Sequence, residues 1–163
     1  MSIPRRPLKR HETLQPLSRE HMSGLVLARN LRAVAARAHE GCGAEGVVML
    51  RHAWESELAP HFADEEKILL GLVDQESARR LVSEHRALAR RICGVVDGTL
   101  AASAAELAGI ADLLEAHIRW EERTLFEQAQ DGHAEELRGM RSEADRMHAE
   151  RPASRPRTRL KWE

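Results

Sequence analysis

Two stretches of the chain carry the same arrangement of metal-binding groups. HFADEEKILL at 61–70 aligns with HIRWEERTLF at 117–126: a histidine, a glutamate pair, a basic residue and a leucine two places after it coincide. Upstream, SREH at 18–21 partners VSEH at 82–85. In His61-x-x-x-Glu65 and His117-x-x-x-Glu121 the two side chains stand four apart, which on a helix puts them on one face, a turn apart. Imidazole and carboxylate from adjacent turns can meet at the same pair of cations. A lone inward histidine is more often a hydrogen-bonded core residue, and a single His-x-x-x-Glu on an Arg/Glu-rich helix is usually a solvated pair. Two copies, each preceded by Glu-His, are hard to explain as surface charge.

The elements that must position these groups are helices. Ser18 is a plausible N-cap for a first helix with His21 in its first turn, running to about His39, where Gly41-Cys42-Gly43 ends it. A second spans about Ala44–Leu70, with Pro60 inside it and a kink expected there, because proline lacks an N–H and crowds the Ser56 carbonyl. Asp74 can cap a third helix, to about Val96, closed by Asp97-Gly98. Ser103 can cap a fourth, to about Gln128, before Asp131-Gly132. A short extra helix is expected at His133–Met147. Four long helices with short loops imply an all-α, up-down-up-down antiparallel bundle. Neighbours run antiparallel, so early His21 and His85 lie beside late His61, Glu65, His117 and Glu121, and all six converge at one end. Leu25, Leu69, Leu81, Leu113 and Leu125 flank them at helical spacing, so the polar groups sit on apolar, core-facing stripes. Buried carboxylates without partners are costly; a pair of cations would neutralise them.

The division of the chain is then an N-terminal arm at 1–17, a bundle at 18–130, and a short helix with a basic tail at 131–163. The remaining histidines, His11, His39, His52, His133 and His148, read as exposed. Ala, Leu, Arg and Glu fill most positions, Tyr is absent, and β-branched and aromatic residues rarely cluster, so strands are hard to place. A net charge of −1 gives no reason to expect a nucleic-acid partner. No apolar run is long enough for a membrane span, and the N-terminus lacks the apolar core of a secretory signal. Cytoplasm is the default location, with Cys42 and Cys93 as free thiols.

These residues resemble the hemerythrin-like HHE cation-binding family of bacterial type, over about residues 14–128. The resemblance implies the six residues His21, His61, Glu65, His85, His117 and Glu121 as metal ligands. It also implies two iron ions bridged by the two carboxylates and by an oxo or hydroxo group. Imidazole and carboxylate suit manganese and zinc about as well, so iron rests on the resemblance. The invertebrate oxygen carriers of this family have a second histidine one turn after the third-helix ligand. Here that position is Ala89, which leaves room at both ions. Glu57 or Glu122 could fill a position, although a surface carboxylate is the plainer reading of each.

The functions so implied are binding of, or reaction with, small oxygen species (dioxygen, peroxide, nitric oxide), with a peroxide-consuming or oxidase-type activity open. The alternative is an iron- or oxygen-sensing module acting through a protein partner, with the basic arm and tail as surfaces. Iron storage or delivery is a third.

Overall fold

The computed structural model describes residues 9–37 and 42–151. Among them it is all-helical, without strands: α1 (Gln15–Arg37), α2 (Cys42–Ala53), α3 (Ala59–Leu69), α4 (Gln75–Asp97), α5 (Ala104–Trp120), α6 (Phe126–Gly139) and α7 (Arg141–Ala149). Two π-helical turns, Trp54–Leu58 and Glu121–Leu125, join α2 to α3 and α5 to α6. No helix among the described residues is long and apolar enough to cross a membrane.

Two helix starts follow the expected capping chemistry. The Asp74 carboxylate accepts from the Ser77 N–H at 2.8 Å, and the Ser103 hydroxyl accepts from the Glu106 N–H at 3.1 Å. Each thereby satisfies an orphan donor of the first turn. Gly98, at φ 85°, ends α4 in the left-handed region.

Ser18 is not a cap. The first helix begins three residues earlier, after a turn in which the Leu14 N–H donates to the His11 carbonyl at 2.9 Å and the Thr13 N–H to His11 Nδ1 at 3.1 Å. Pro16 falls in the first helical turn, where its missing N–H has no partner to lose. The segment expected as an extended arm is therefore docked from His11 onward: Thr13 and Leu14 are buried, and the Thr13 hydroxyl donates to the Leu137 carbonyl at 2.6 Å.

Next to Pro60, where a kink is expected, the helix carries a π-turn. Pro60 stands in the first turn of α3, and the Ala59 N–H ahead of it bonds to the Trp54 carbonyl, one residue further back than in an α-helix. The widened turn accommodates a ring that cannot donate. The far end also differs from expectation. The fourth helix does not stop near Gln128 but continues through Asp131-Gly132, with non-helical angles only at His133, and the extra helix is divided at Met140. Burial of Ala129 and Leu137 in the core holds this stretch in place. His39, residues 1–8 and the tail from 152 lie outside the described residues.

Side-chain pairs fix the register of the bundle. Arg37 meets Glu45 at 2.9 Å and Arg32 meets Asp112 at 2.8 Å, while Gly24 faces Ile118. Arg91 meets Glu106 at 2.8 Å and His85 lies beside Glu65. Two apolar clusters result. One contains Leu31, Leu50, Leu88, Ile92, Leu107 and Leu114. The other contains Leu14, Leu69, Leu81, Phe126, Leu137 and Met147. The histidines and glutamates form a layer between them, not at an open end, because the residues before α1 together with α6 and α7 close over that end.

Candidate metal centre

All six candidate ligands are buried, with exposures of 0–4%. The packing of α1, α3, α4 and α5 brings them together in two overlapping groups: His21, His61, Glu65 and Glu121, and Glu65, His85, His117 and Glu121. Within each group the donor atoms lie within 4.8 Å of one another. Both carboxylates belong to both groups. Glu65 Oε1 is 3.0 Å from His21 Nε2 and 2.8 Å from His61 Nε2, and its Oε2 is 3.1 Å from His85 Nε2. Glu121 Oε1 is 2.8 Å from His117 Nε2, and its Oε2 is 3.1 Å from His21 Nε2.

Every inward-facing Nε2 thus turns toward a shared carboxylate, and every Nδ1 meets a different carboxylate outside. His21 Nδ1 lies 2.6 Å from Glu122, His85 Nδ1 2.9 Å from Glu66, His61 Nδ1 3.3 Å from Glu20 and His117 Nδ1 3.6 Å from Glu84. The pattern follows the repeat. Glu20 and Glu84, each just before a histidine, reach the histidine of the following helical segment. Glu66 and Glu122, each just after a shared glutamate, reach His85 and His21. For His21, His61 and His85 the carboxylate hydrogen-bonded at the outer nitrogen fixes the ring's tautomer and orientation and leaves Nε2 as the inner donor; Glu84 stands beyond hydrogen-bond distance of His117. Aromatic rings hold two of the imidazoles from the side: Phe62 stacks on His85 at 4.1 Å and Phe126 on His21 at 5.2 Å.

Sequence reasoning missed Glu20, Glu66 and Glu84. The signal was present as the repeated Glu-His and Glu-Glu dipeptides. Glu122 is neither a plain surface carboxylate nor a member of either inner group, since it faces His21 from outside and also accepts from Ser18. Glu57 lines a small cavity beside His21 and His61, outside both groups. Of the histidines set aside, His52 and His148 are exposed. His133 pairs with Glu136, and His11 is half-buried. None of these four belongs to the cluster.

The electrostatics follow from burial and pairing. Burial alone would lower the imidazole pKa values, but the facing carboxylates outweigh it: His61 rises to about 9 beside Glu65, and His85 to about 10 beside Glu121 and Glu65. Burial and Glu65 both push the Glu121 carboxyl up, yet His117 and His21 hold it down to about 2. Protons on imidazole can therefore balance the two buried carboxylates, and a cation would compete for the same lone pairs.

The donor set fits a cation pair on one further observation. His117 Nδ1 and Nε2 and both Glu121 oxygens are buried without a hydrogen-bond partner. The 2.8 Å approach of His117 to Glu121 is out of line for a hydrogen bond. Buried polar atoms left so are costly, and nitrogen and oxygen lone pairs converging side by side are what a metal ion requires.

A helical bundle with an enclosed, twofold-repeated histidine–carboxylate cluster is a cation-binding protein in design. The family model for the hemerythrin HHE cation binding domain matches residues 13–129, and the chain belongs to that family. No curated protein and no solved structure matches it.

Proposed function

We propose that the protein holds a non-haem di-iron centre, with His21 and His61 on one ion, His85 and His117 on the other, and Glu65 and Glu121 shared between them. The observation that carries this reading is the membership of both carboxylates in both donor groups. The bundle around it is read as an up-down-up-down four-helix arrangement, supported by the registers of Arg37 with Glu45, Arg32 with Asp112 and Arg91 with Glu106. Iron is preferred because the family is read that way; manganese and zinc suit the same donors. Bound there, such a pair would supply redox chemistry toward small oxygen species such as dioxygen, peroxide or nitric oxide.

The chain's own residues do the rest. Phe62, Phe126 and the two apolar clusters exclude water. Glu20, Glu66 and Glu122 orient the imidazoles of His61, His85 and His21. A small cavity, with room (about 10 Å³) for the centre of a water-sized guest, is lined by His21, His61, Glu57, Leu58, Phe62 and Ile118 among others. Such a space admits a small ligand and little more. A cytoplasmic location is proposed with it, supported by the half-buried free thiol of Cys93.

The test is metal analysis and an absorption spectrum after anaerobic loading with ferrous ion. Two ions per chain are expected, with reaction on adding peroxide. One ion per chain, or zinc that iron cannot displace, would end the di-iron reading.

A further inference from the structure

The four outer carboxylates are related by the repeat, but what holds them is not. Glu122, behind His21, is gripped by Arg10 from the segment before α1: Nη2 lies 2.7 Å from Glu122 Oε2 and 2.9 Å from the Glu122 carbonyl. The same guanidinium covers the Phe126 ring at 5.1 Å, and that ring stacks on His21. Glu20, behind His61, is gripped by Arg151 from the residue run that follows α7. Arg151 Nε lies 2.9 Å from Glu20 Oε2, Nη2 lies 3.0 Å from Oε1, and Nη1 also reaches Asp64. The side chains of Arg10 and Arg151 are only 14% and 13% exposed. α7 packs across α1 and α3 to deliver Arg151, with Ala144 and Met147 buried beneath it.

The other half is held differently. Glu84, behind His117, pairs with Arg80 on its own helix at 2.7 Å; Arg80 is 51% exposed and covers the Trp120 ring at 4.2 Å, the counterpart of Arg10 over Phe126, so the halves differ in the burial of the arginine and in what it adds to the carboxylate. Glu66, behind His85, is 35% exposed and meets no arginine among the described residues. Arg151 sets a two-nitrogen fork on the Glu20 carboxylate, among the stronger and more directional pairings; Arg10 gives Glu122 one nitrogen, shared between its carboxylate and its carbonyl, and directs the other to Gln130 and Glu127. An exposed pair four apart on a helix is worth little.

We propose that Arg10 and Arg151 are positioning residues for one half of the centre, so that the ion held by His21 and His61 leaves more slowly than the ion held by His85 and His117. The inference rests on the dinuclear reading above. A gripped outer carboxylate keeps its imidazole aimed inward while the ion is off, which favours recapture. Both grips come from outside the repeated helices, one from before α1 and one from after α7, so the unequal hold is built by segments the internal repeat does not contain.

The experiment is release of ferrous ion from the anaerobically loaded full chain into excess chromogenic chelator. The unmodified protein is expected to lose its two ions in two phases of equal amplitude, on the order of tenfold apart in rate. Arg151→Gln and Arg10→Gln should each speed the slow phase by up to roughly tenfold, toward the rate of the fast phase, and leave the fast phase alone. Arg80→Gln should change neither phase. Arg151→Lys keeps the charge and loses the fork, so it should still release the slow ion early; full rescue by lysine would reduce the effect to charge and overturn positioning. Release of two ions in a single phase from the unmodified protein would overturn the inference alone, as would acceleration of both phases equally by Arg151→Gln and Arg10→Gln. Uptake of one ion would instead overturn the dinuclear reading. If Arg151→Gln does not fold, Arg10→Gln decides the same question through the other grip.

Discussion

Replacing Gly24 by alanine should close the cavity beside the centre without dismantling the protein. Gly24 lies in α1 where it meets α5, and a Cβ built there would stand 2.7 Å from Ile118 Cδ1, the next Ile118 atom being 3.9 Å away. One terminal methyl is therefore the whole conflict, and Gly24 and Ile118 both line the cavity next to His21 and His61. The methyl can yield by turning into that space. Removing glycine from a helix interior contributes about 1 kcal/mol, and forcing a packed side chain aside costs about 1–3 kcal/mol. The net loss is at most about 2 kcal/mol, a fall in Tm of less than about 8 °C at roughly 2–4 °C per kcal/mol for a chain of this size. Metal content should stay the same. A ligand entering through the filled space must move the methyl back, and about 1–3 kcal/mol on that step slows entry roughly 5- to 150-fold. Stopped-flow absorbance of the iron-loaded protein mixed with peroxide reads this rate directly. Ile118→Val deletes the clashing atom, so Gly24→Ala with Ile118→Val should recover most of the rate, a non-additive pair as expected of neighbours. A loaded Gly24→Ala protein that reacts as fast as the unmodified one would show that the cavity is not the way in.

His61→Ala and Glu121→Ala should each lose metal and, at ion concentrations near 100 times the dissociation constant, about 2.7 kcal/mol of ligand stabilisation. His133→Ala should do neither, and matching behaviour in metal analysis and thermal unfolding would undo the division of the histidines. Pro60→Ala restores a backbone donor after the π-turn at Trp54–Leu58 and should weaken metal binding by letting the turn tighten and shift His61; an unchanged titration would remove that role from Pro60. Ala89→His places an imidazole one turn beyond His85 and should lengthen the life of the dioxygen adduct when reduced protein meets air-saturated buffer. A stable, vacuum-reversible adduct in the unmodified protein would restore an oxygen-carrier reading.

Helical character, the caps at Asp74 and Ser103 and the six inward residues were legible in the sequence because each depends on local spacing. A period of 3.6 decides which residues share a face, a short polar side chain three residues from an N–H decides a cap, and an internal repeat reports two matched halves. Ser18 misled because serine is an equally good partner for a distant group, here Glu122, and the choice between cap and contact is made by what packs opposite. The continuation of α6 past Asp131-Gly132 was hidden for a similar reason: a glycine only weakens a helix, and burial of Leu137 outweighed it.

What the sequence determined by itself was therefore the list of inner donors and the helices that carry them. Tertiary structure alone decided which carboxylate stands behind which imidazole. Glu20 reaches His61, and Glu122 reaches His21, across separations of 41 and 101 residues. It also decided that Arg10 and Arg151, from outside the repeat, both close on the same half. Neither arginine lies at any periodic distance from the groups it grips, so no pattern along the chain could announce it. Their places are set by how Thr13, Leu14, Ala144 and Met147 find apolar surface to cover, and burial of that kind is a property of the assembled bundle.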